Sequence, residues 1–157
     1  MDECCKLRSV QIEIGGCRFR SWTETTHRVL QGRKLIGIVT LSETEVSRAD
    51  LLAEFASSKQ TINNIRALRL PTRFNYTWVE IIRLSESSRG RAYGTQVFDW
   101  IKATRRGTLL GLNPKEIAAN CPMQTILGFY RKQGFQLSRF DCEWYGFLYL
   151  PGLLPTD

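Results

Sequence analysis

The sequence predicts an α/β protein in which helices pack on a mixed β-sheet. Three observations carry this prediction. Several short stretches alternate apolar and polar residues or are continuously apolar, which is typical of strands. Other stretches place apolar residues three and four positions apart, which is typical of amphipathic helices. In chain order, three strands precede a helical segment, and strands and helices then alternate until a closing pair of strands.

The first half of the chain predicts a hairpin, a buried strand and a helical segment. Residues 10–14 and 17–22 each alternate, and Gly15 and Gly16 between them indicate a hairpin turn. The apolar run 34–41 predicts a strand that is buried on both faces. Residues 47–68 then have helical spacing. Ser47 stands at the N-cap position of this segment.

The second half alternates between strands and helices. Glycine and proline mark several of the element ends, with Pro122 at the start of one helix and Gly134 just past its end. We expect strand 76–84, turn 85–94, helix 95–102, strand 108–112, helix 122–133, and strands 135–140 and 143–150.

Length and composition favour one domain over residues 1–157, because a single core usually serves roughly 100–200 residues. The net charge of +7 favours an anionic partner, such as a phosphate-rich cofactor or nucleic acid, or simply aids solubility.

The five cysteines form no C-x-x-C pair, and His27 is the only histidine, so we expect no metal site and reduced thiols. With no secretory signal and no membrane-length apolar stretch, we expect a cytoplasmic protein that does not contact membranes.

The turn between strand 76–84 and the next helix has the properties of an anion site. The first N–H groups of a helix have no intrahelical partner, and the helix dipole adds positive potential there. Gly90 and Gly94 let the backbone approach a ligand closely, and Arg89 and Arg91 can donate bidentate hydrogen bonds to phosphate oxygens. An ordinary basic loop would explain the same residues. The spacing fits neither a P-loop nor a dinucleotide fingerprint.

Two motifs resemble the GNAT superfamily of N-acetyltransferases. That family carries [Q/R]-x-x-G-x-[G/A] at the start of its third helix, and residues 89–94 match it, except that Ala92 replaces the usual glycine. The family also often has Tyr-x-x-x-Gly-Phe at the end of its fourth helix, and here Tyr130, Gly134 and Phe135 occupy these positions. The resemblance covers residues 76–150. The family places helices between its first two strands, whereas this chain has its helical segment at 47–68.

The resemblance implies a fold, a co-substrate and a binding site. It implies a GNAT-like acyltransferase fold, with a central, mostly antiparallel sheet splayed at strands four and five. Acetyl-CoA, or another acyl-CoA, would be the co-substrate, without a metal. The implied binding residues hold the pantetheine arm and the pyrophosphate, and they are Ile82, Arg83, Leu84, Arg89, Gly90, Arg91, Ala92, Tyr93, Gly94 and Thr95.

Two residues are candidates for proton transfer. Tyr130 matches the position where many family members place a tyrosine near the thioester sulfur, and a phenol is a donor at neutral pH. Tyr130 equally fits the apolar stripe of its helix. Glu80 is the candidate base, because a carboxylate between Trp78 and Ile82 is expected to be partly desolvated. An ion-paired or exposed glutamate, with a water chain as the base, is the alternative.

The sequence therefore favours an N-acyltransferase that uses acyl-CoA and a small-molecule or protein amine. A non-catalytic acyl-CoA sensor or regulatory module on the same fold is the alternative. A nucleic-acid-binding protein, suggested by the charge and by aromatic residues such as Trp22 and Trp78, is not favoured, because no aromatic-plus-glycine RNA signature occurs. The pairs 105–106 and 131–132 could meet the 3′-phosphate of coenzyme A or sit near helix C-termini. The acceptor, the acyl length and a homodimeric state stay open.

Overall fold

The structure is a computed structural model, and it describes residues 6–14, 18–84, 93–114, 122–140 and 142–152. Within these ranges the chain forms seven strands and four helices. In chain order they are β1 (Lys6–Ile14), β2 (Arg18–Gln31), β3 (Lys34–Ser47), α1 (Arg48–Glu54), α2 (Lys59–Ala67), β4 (Arg73–Leu84), α3 (Tyr93–Thr104), β5 (Thr108–Leu112), α4 (Met123–Gln133), β6 (Gln136–Phe140) and β7 (Glu143–Leu150).

The strands form one sheet in the order β1-β2-β3-β4-β5-β7-β6. Every neighbouring pair is antiparallel except β4 and β5, which run parallel. The predicted mixed sheet is therefore confirmed, and so is the predicted order of elements except for the helical segment between β3 and β4.

The predicted helical segment 47–68 is two helices rather than one. Ser47 accepts a hydrogen bond from the backbone N–H of Asp50 at 3.1 Å, which confirms the predicted cap. Ser58 accepts one from the N–H of Thr61 at 3.3 Å and starts α2 in the same way. A serine oxygen that accepts from the third residue on satisfies a free donor of a new helix, so the second serine divides the segment.

The strands β2 and β3 are longer than predicted, with 14 residues each. The predicted strands ended at residues 22 and 41. After residue 22 the alternating pattern, and after residue 41 the apolar run, gives way to threonines and glutamates. Threonine is β-branched and favours strands. Thr26 and Thr40 lie directly opposite each other, and their hydroxyls are 3.1 Å apart. The centre of β3, residues 39–42, is buried on both faces as expected, whereas Leu35 beside the β2–β3 turn is exposed.

Helices cover both faces of the sheet and define two cores. The α3/α4 core packs these two helices on β2, β3, β4 and β5, and its members include Val39, Leu41, Val79, Val97, Phe98, Ile101, Leu110, Leu112, Ile126, Tyr130 and Phe135. The α1/α2 core lies on the opposite face, and its members include Trp22, Val46, Leu51, Phe55, Ile65, Phe74, Tyr76, Leu109 and Phe147. The centre of β4 contributes to both.

Candidate functional site

The strand β4 contains a β-bulge at Glu80. Leu41 of β3 lies opposite Val79, and Thr40 lies opposite Ile81, so Glu80 is an extra residue in β4. The strand β5 pairs with β4 only as far as Val79. Since a bulge bends its strand and often ends pairing, the bulge explains why β4 and β5 part at this point.

Beyond the bulge, β4 has a partner on one side only. Residues 82–84 continue to pair with β3. On the β5 side, no strand within the described ranges pairs with them. An open strand edge presents backbone donors and acceptors that an extended, amide-containing ligand can pair with. Ile82, Arg83 and Leu84, the residues predicted to bind the pantetheine arm, form this edge.

The helix α3 begins after the connection that follows β4. Tyr93, Gly94 and Thr95 form its first turn, which contains no acidic residue. The predicted residues Arg89, Gly90, Arg91 and Ala92 lie outside the described residues. Gly94 also has a packing role, because an added Cβ would lie 3.3 Å from Cζ of Phe129 on α4. The start of α3 has the positive end of the helix dipole, which favours an anion, and no carboxylate in its first turn opposes it.

Tyr130 lies on α4 and points into the α3/α4 core. It is 8 % exposed, and its ring packs edge-on against Phe98 and Phe135, with centroids 5.6 and 5.9 Å apart. Burial raises the pKa of Tyr130 to about 12, because the phenolate would lose its hydration. The phenol therefore stays protonated at neutral pH, where its hydroxyl can donate a hydrogen bond.

The Tyr-x-x-x-Gly-Phe motif also has a structural explanation. Gly134 ends α4 in the left-handed conformation, with φ of 103°. The N–H of Phe135 donates to the carbonyl of Tyr130 at 3.1 Å, and the N–H of Gly134 donates to that of Arg131 at 3.0 Å. This is the hydrogen-bond pattern of a Schellman cap, in which glycine is favoured. Phe135 is buried against Phe98, so Gly134 and Phe135 fix the end of the helix that carries Tyr130.

The sequence placed Glu80 in an apolar setting, but its side chain is exposed. One carboxylate oxygen, Oε1, accepts a hydrogen bond of 3.3 Å from the hydroxyl of the fully buried Ser42. Exposure of Glu80 follows from the bulge, which takes the residue out of the regular alternation of β4. The hydrogen bond with Ser42 was not foreseen, because it depends on the register between β3 and β4.

Beside Glu80, aromatic residues cover the α1/α2 face of the diverging strands. The rings of Trp78 and Tyr145 lie 6.1 Å apart, and the Tyr145 hydroxyl donates to Glu143 at 3.3 Å. Gly111 of β5 makes this arrangement possible, because an added Cβ would lie 2.9 Å from Cε3 of Trp78. A glycine inside a strand signals such close approach. In the sequence, Gly111 inside the predicted strand 108–112 is the signal of this close approach.

Other residues that the sequence made candidates lie away from this site. Arg105 and Arg106 follow the last turn of α3, about 18 Å along the helix from its first residue, so they lie far from an anion at its start. Trp22 is buried and cannot stack on a base, which removes one support for nucleic-acid binding. Across the described ranges, no group of three or more His, Cys, Asp or Glu residues could hold a metal. No helix there is long and apolar enough to cross a membrane.

No protein-family model matches the sequence, and no curated protein matches it significantly. Several solved structures do match by fold. One is Arabidopsis thaliana NAA60 in complex with a bisubstrate analogue, with 13 % identity and a TM-score of 0.52 over 82 % of this chain and 76 % of that one. Another is a Bacteroides thetaiotaomicron protein assigned to the GNAT acetyltransferases, with 12 % identity and a TM-score of 0.49 over 84 % of this chain. A third is the Bacillus subtilis N-acetyltransferase YlbP in complex with coenzyme A, with 15 % identity, a TM-score of 0.48, and coverage of 81 % of this chain and 68 % of that one.

The chain has a GNAT-like acyltransferase fold. The parallel β4–β5 pair that diverges, and the sheet order around it, agree with the fold that the sequence predicted. The chain spans 63 % of the length of the Bacteroides protein. It departs from the family's usual order in carrying α1 and α2 between β3 and β4, as the position of residues 47–68 had indicated.

Proposed function

We propose that the protein is an N-acyltransferase that moves an acetyl or other acyl group from acyl-coenzyme A to a primary amine. The observation that carries the proposal is the parting of β4 and β5 at the Glu80 bulge, directly before the chain enters α3. An open backbone edge is thus followed along the chain by a helix N-terminus. An acyl-CoA has an amide-containing arm next to a pyrophosphate, so two successive features of the chain fit two neighbouring parts of one ligand.

In the proposed complex, the amides of the pantetheine arm pair with the backbone of residues 82–84. The pyrophosphate lies at the start of α3, where free N–H groups and the helix dipole favour an anion. Arg89 and Arg91, in the connection before α3, supply bidentate hydrogen bonds to the phosphate oxygens. The thioester then lies near the bulge, where β4 and β5 part.

The proposed reaction is direct attack of the amine on the thioester carbonyl. The amine loses its ammonium proton to a base and forms a bond to the carbonyl carbon. The tetrahedral intermediate then collapses, the carbon–sulfur bond breaks, and coenzyme A leaves as a thiolate. The nitrogen loses its second proton in this step, and that proton passes through water to the thiolate. The products are an amide and the free thiol of coenzyme A.

Tyr130 is proposed to stabilise the departing thiolate by a hydrogen bond. Complete proton transfer from a phenol with a pKa of about 12 to a thiolate of an ordinary thiol, with pKa about 8.5, is uphill by about 5 kcal/mol. A hydrogen bond to a charged group contributes about 1.5–3 kcal/mol without moving the proton. We therefore assign Tyr130 the role of a donor to the developing charge, and the proton that neutralises the thiolate comes through water.

Glu80 is proposed to receive the ammonium proton, directly or through water. Its exposure leaves the carboxylate accessible to an amine that approaches along the α1/α2 face. The half-buried rings of Trp78 and Tyr145 border the same approach. Because protonated amines are attracted to carboxylates and to aromatic faces, this surface suits a cationic acceptor.

The test measures turnover with acetyl-CoA and a panel of primary amines. The release of free coenzyme A thiol reports the turnover. We expect Tyr130→Phe to lower kcat by about 10- to 150-fold, the loss of one hydrogen bond to a charged group, with acetyl-CoA affinity nearly unchanged. Tyr149→Phe, which removes a hydroxyl from the other face of the sheet, serves as the matched control and should keep full turnover. Equal turnover in wild type and Tyr130→Phe would exclude this role of Tyr130.

The alternative function is a non-catalytic acyl-CoA sensor, and it is favoured by the structural explanations for Gly94, Gly134 and Phe135. Each of these residues has a packing or capping role that needs no chemistry. A sensor would bind acetyl-CoA but release no coenzyme A with any amine in the panel. An enzyme would release it in proportion to the amine that is acetylated.

A further inference from the structure

A cavity lies at the opposite end of β4 from its open edge. It has a volume of about 590 Å³, within the usual range of small-molecule sites. The described residues that line it are all polar and come from β2, β3, β4, β5 and the end of α3: Thr23, Glu43, Thr44, Asn75, Thr77, Thr104, Arg105, Arg106 and Thr108. It is therefore separate from the proposed acyl-CoA site, which lies beyond Val79 on β4.

One arginine of this cavity is held in a fixed position. The Nε of Arg105 donates to Oε1 of Glu43, and its Nη1 donates to the hydroxyl of Thr104 at 2.9 Å. Its guanidinium also lies 5.5 Å from the centroid of the Trp100 ring. These contacts leave Nη2 of Arg105 uncommitted within the described part of the chain. A guanidinium fixed in this way has little conformational entropy to lose when it binds a ligand.

The second arginine of the cavity is exposed. Arg106 makes no hydrogen bond or ion pair with any residue that the structure describes. Because Glu43 is paired with Arg105, the described residues that line the cavity carry one positive charge without a counter-charge among them. A guanidinium binds oxyanions such as carboxylate and phosphate through paired N–H groups.

Hydroxyl and amide groups surround these charges. Thr77 and Thr108 are buried at the base of the cavity, and Thr77 donates to Glu43 at 3.4 Å. Thr23 and Asn75 are exposed at its rim. Since none of the described residues that line the cavity is apolar, it suits ligand hydroxyl groups, which can exchange hydrogen bonds with it, better than an acyl chain or an aromatic ring.

We propose that this cavity binds a small hydroxylated oxyanion, a sugar phosphate or a hydroxycarboxylate, through Arg106, Arg105 and the threonine hydroxyls. The site is independent of the proposed acyl transfer, because it shares no residue with the open edge of β4 or the start of α3. Occupancy would stabilise the fold, because the ligand joins the end of α3 to the starts of β4 and β5.

Thermal unfolding of the whole chain tests the proposal, with glucose 6-phosphate, citrate, inorganic phosphate and glucose as probes at matched ionic strength. We expect glucose 6-phosphate or citrate to raise Tm in a saturable way, and the comparison of these two distinguishes phosphate from carboxylate. Arg106→Gln should weaken the binding of the active probe at least tenfold, as expected for a lost charge-assisted hydrogen bond. The matched control Arg28→Gln removes an exposed arginine from β2 outside the cavity and should bind like the wild type.

Three outcomes would overturn the proposal. The first is that no probe raises Tm above the value in sodium chloride of equal ionic strength. The second is that Arg106→Gln and the wild type respond equally. The third is that inorganic phosphate alone stabilises as much as glucose 6-phosphate, because recognition of hydroxyl groups would then be absent. Arg105 is unsuitable as the test position, since its loss would leave Glu43 without its ion-pair partner.

Discussion

Replacement of Tyr130 by phenylalanine should change how the stability of the protein depends on alkaline pH. In the folded state the pKa of Tyr130 is raised to about 12 by burial, whereas a tyrosine in the unfolded chain has a pKa of about 10. Below pH 10 the phenol is neutral in both the folded and the unfolded state, so the difference in pKa does not affect the free energy of unfolding. Between pH 10 and 12 only the unfolded chain ionises, so the free energy of unfolding falls as pH rises.

The size of the effect follows from the shift of two pKa units. Each unit corresponds to 1.36 kcal/mol, so Tyr130 lowers the stability by about 2.7 kcal/mol once the pH exceeds 12 and by about 1.4 kcal/mol at pH 11. Phenylalanine fills nearly the same space beside Phe98 and Phe135 but cannot ionise. The variant should therefore lack this part of the alkaline loss.

The assay is urea unfolding of the wild type and of Tyr130→Phe at pH 9 and at pH 11. We expect the wild type to lose about 1.4 kcal/mol more than the variant between these two values. The lysines and the other tyrosines are the same in both proteins. Their ionisation therefore contributes equally to both losses of stability and does not affect the difference. An equal loss in the two proteins would show that burial does not raise the pKa of Tyr130. The reason for assigning Tyr130 a hydrogen bond to the thiolate, instead of complete proton transfer, would then be lost.

Three further predictions concern stability, measured by urea unfolding at neutral pH. Gly134→Ala should cost about 1–2 kcal/mol, because alanine is strained at the φ of 103° that ends α4, and Gly134→Asn should cost less. Gly111→Ala should cost about 1–3 kcal/mol, because its Cβ would lie 2.7 Å from the Tyr76 hydroxyl, whereas Gly128→Ala, with nothing within 4 Å, should not destabilise. Ser47→Ala should cost about 1 kcal/mol through loss of the α1 cap, and an unchanged midpoint would contradict that assignment.

Much of the fold could be predicted because its signals are local. The strand Thr108–Leu112 was predicted with its observed bounds, and α4 begins one residue after its predicted start at Pro122. Proline before a helix and glycine after it act through the backbone of a few residues, so the sequence alone reveals them. The second cap, Ser58, was overlooked, and one predicted helical segment is therefore two helices.

The features that shape the candidate site are not local. The bulge at Glu80 is defined by the register between β3 and β4, and no sequence pattern within β4 predicts it. The bond from Ser42 to Glu80 joins residues 38 positions apart, and the cavity beside Arg105 draws on four strands. Motif resemblance pointed to the end of the sheet where β4 and β5 part, but the exposure of Glu80 and the burial of Tyr130 required the three-dimensional structure.

The proposed function requires that an acyl-CoA bind along the open edge of β4 and at the start of α3. Hydrogen exchange of backbone amides, measured with and without saturating acetyl-CoA, tests this claim. If the claim holds, acetyl-CoA slows exchange in residues 80–84 and 90–95, because pantetheine and the pyrophosphate accept hydrogen bonds from these amides. Exchange at residues 104–108, at the other end of α3, should change little. Unchanged exchange in residues 80–95, or protection confined to residues 104–108, would contradict the claim.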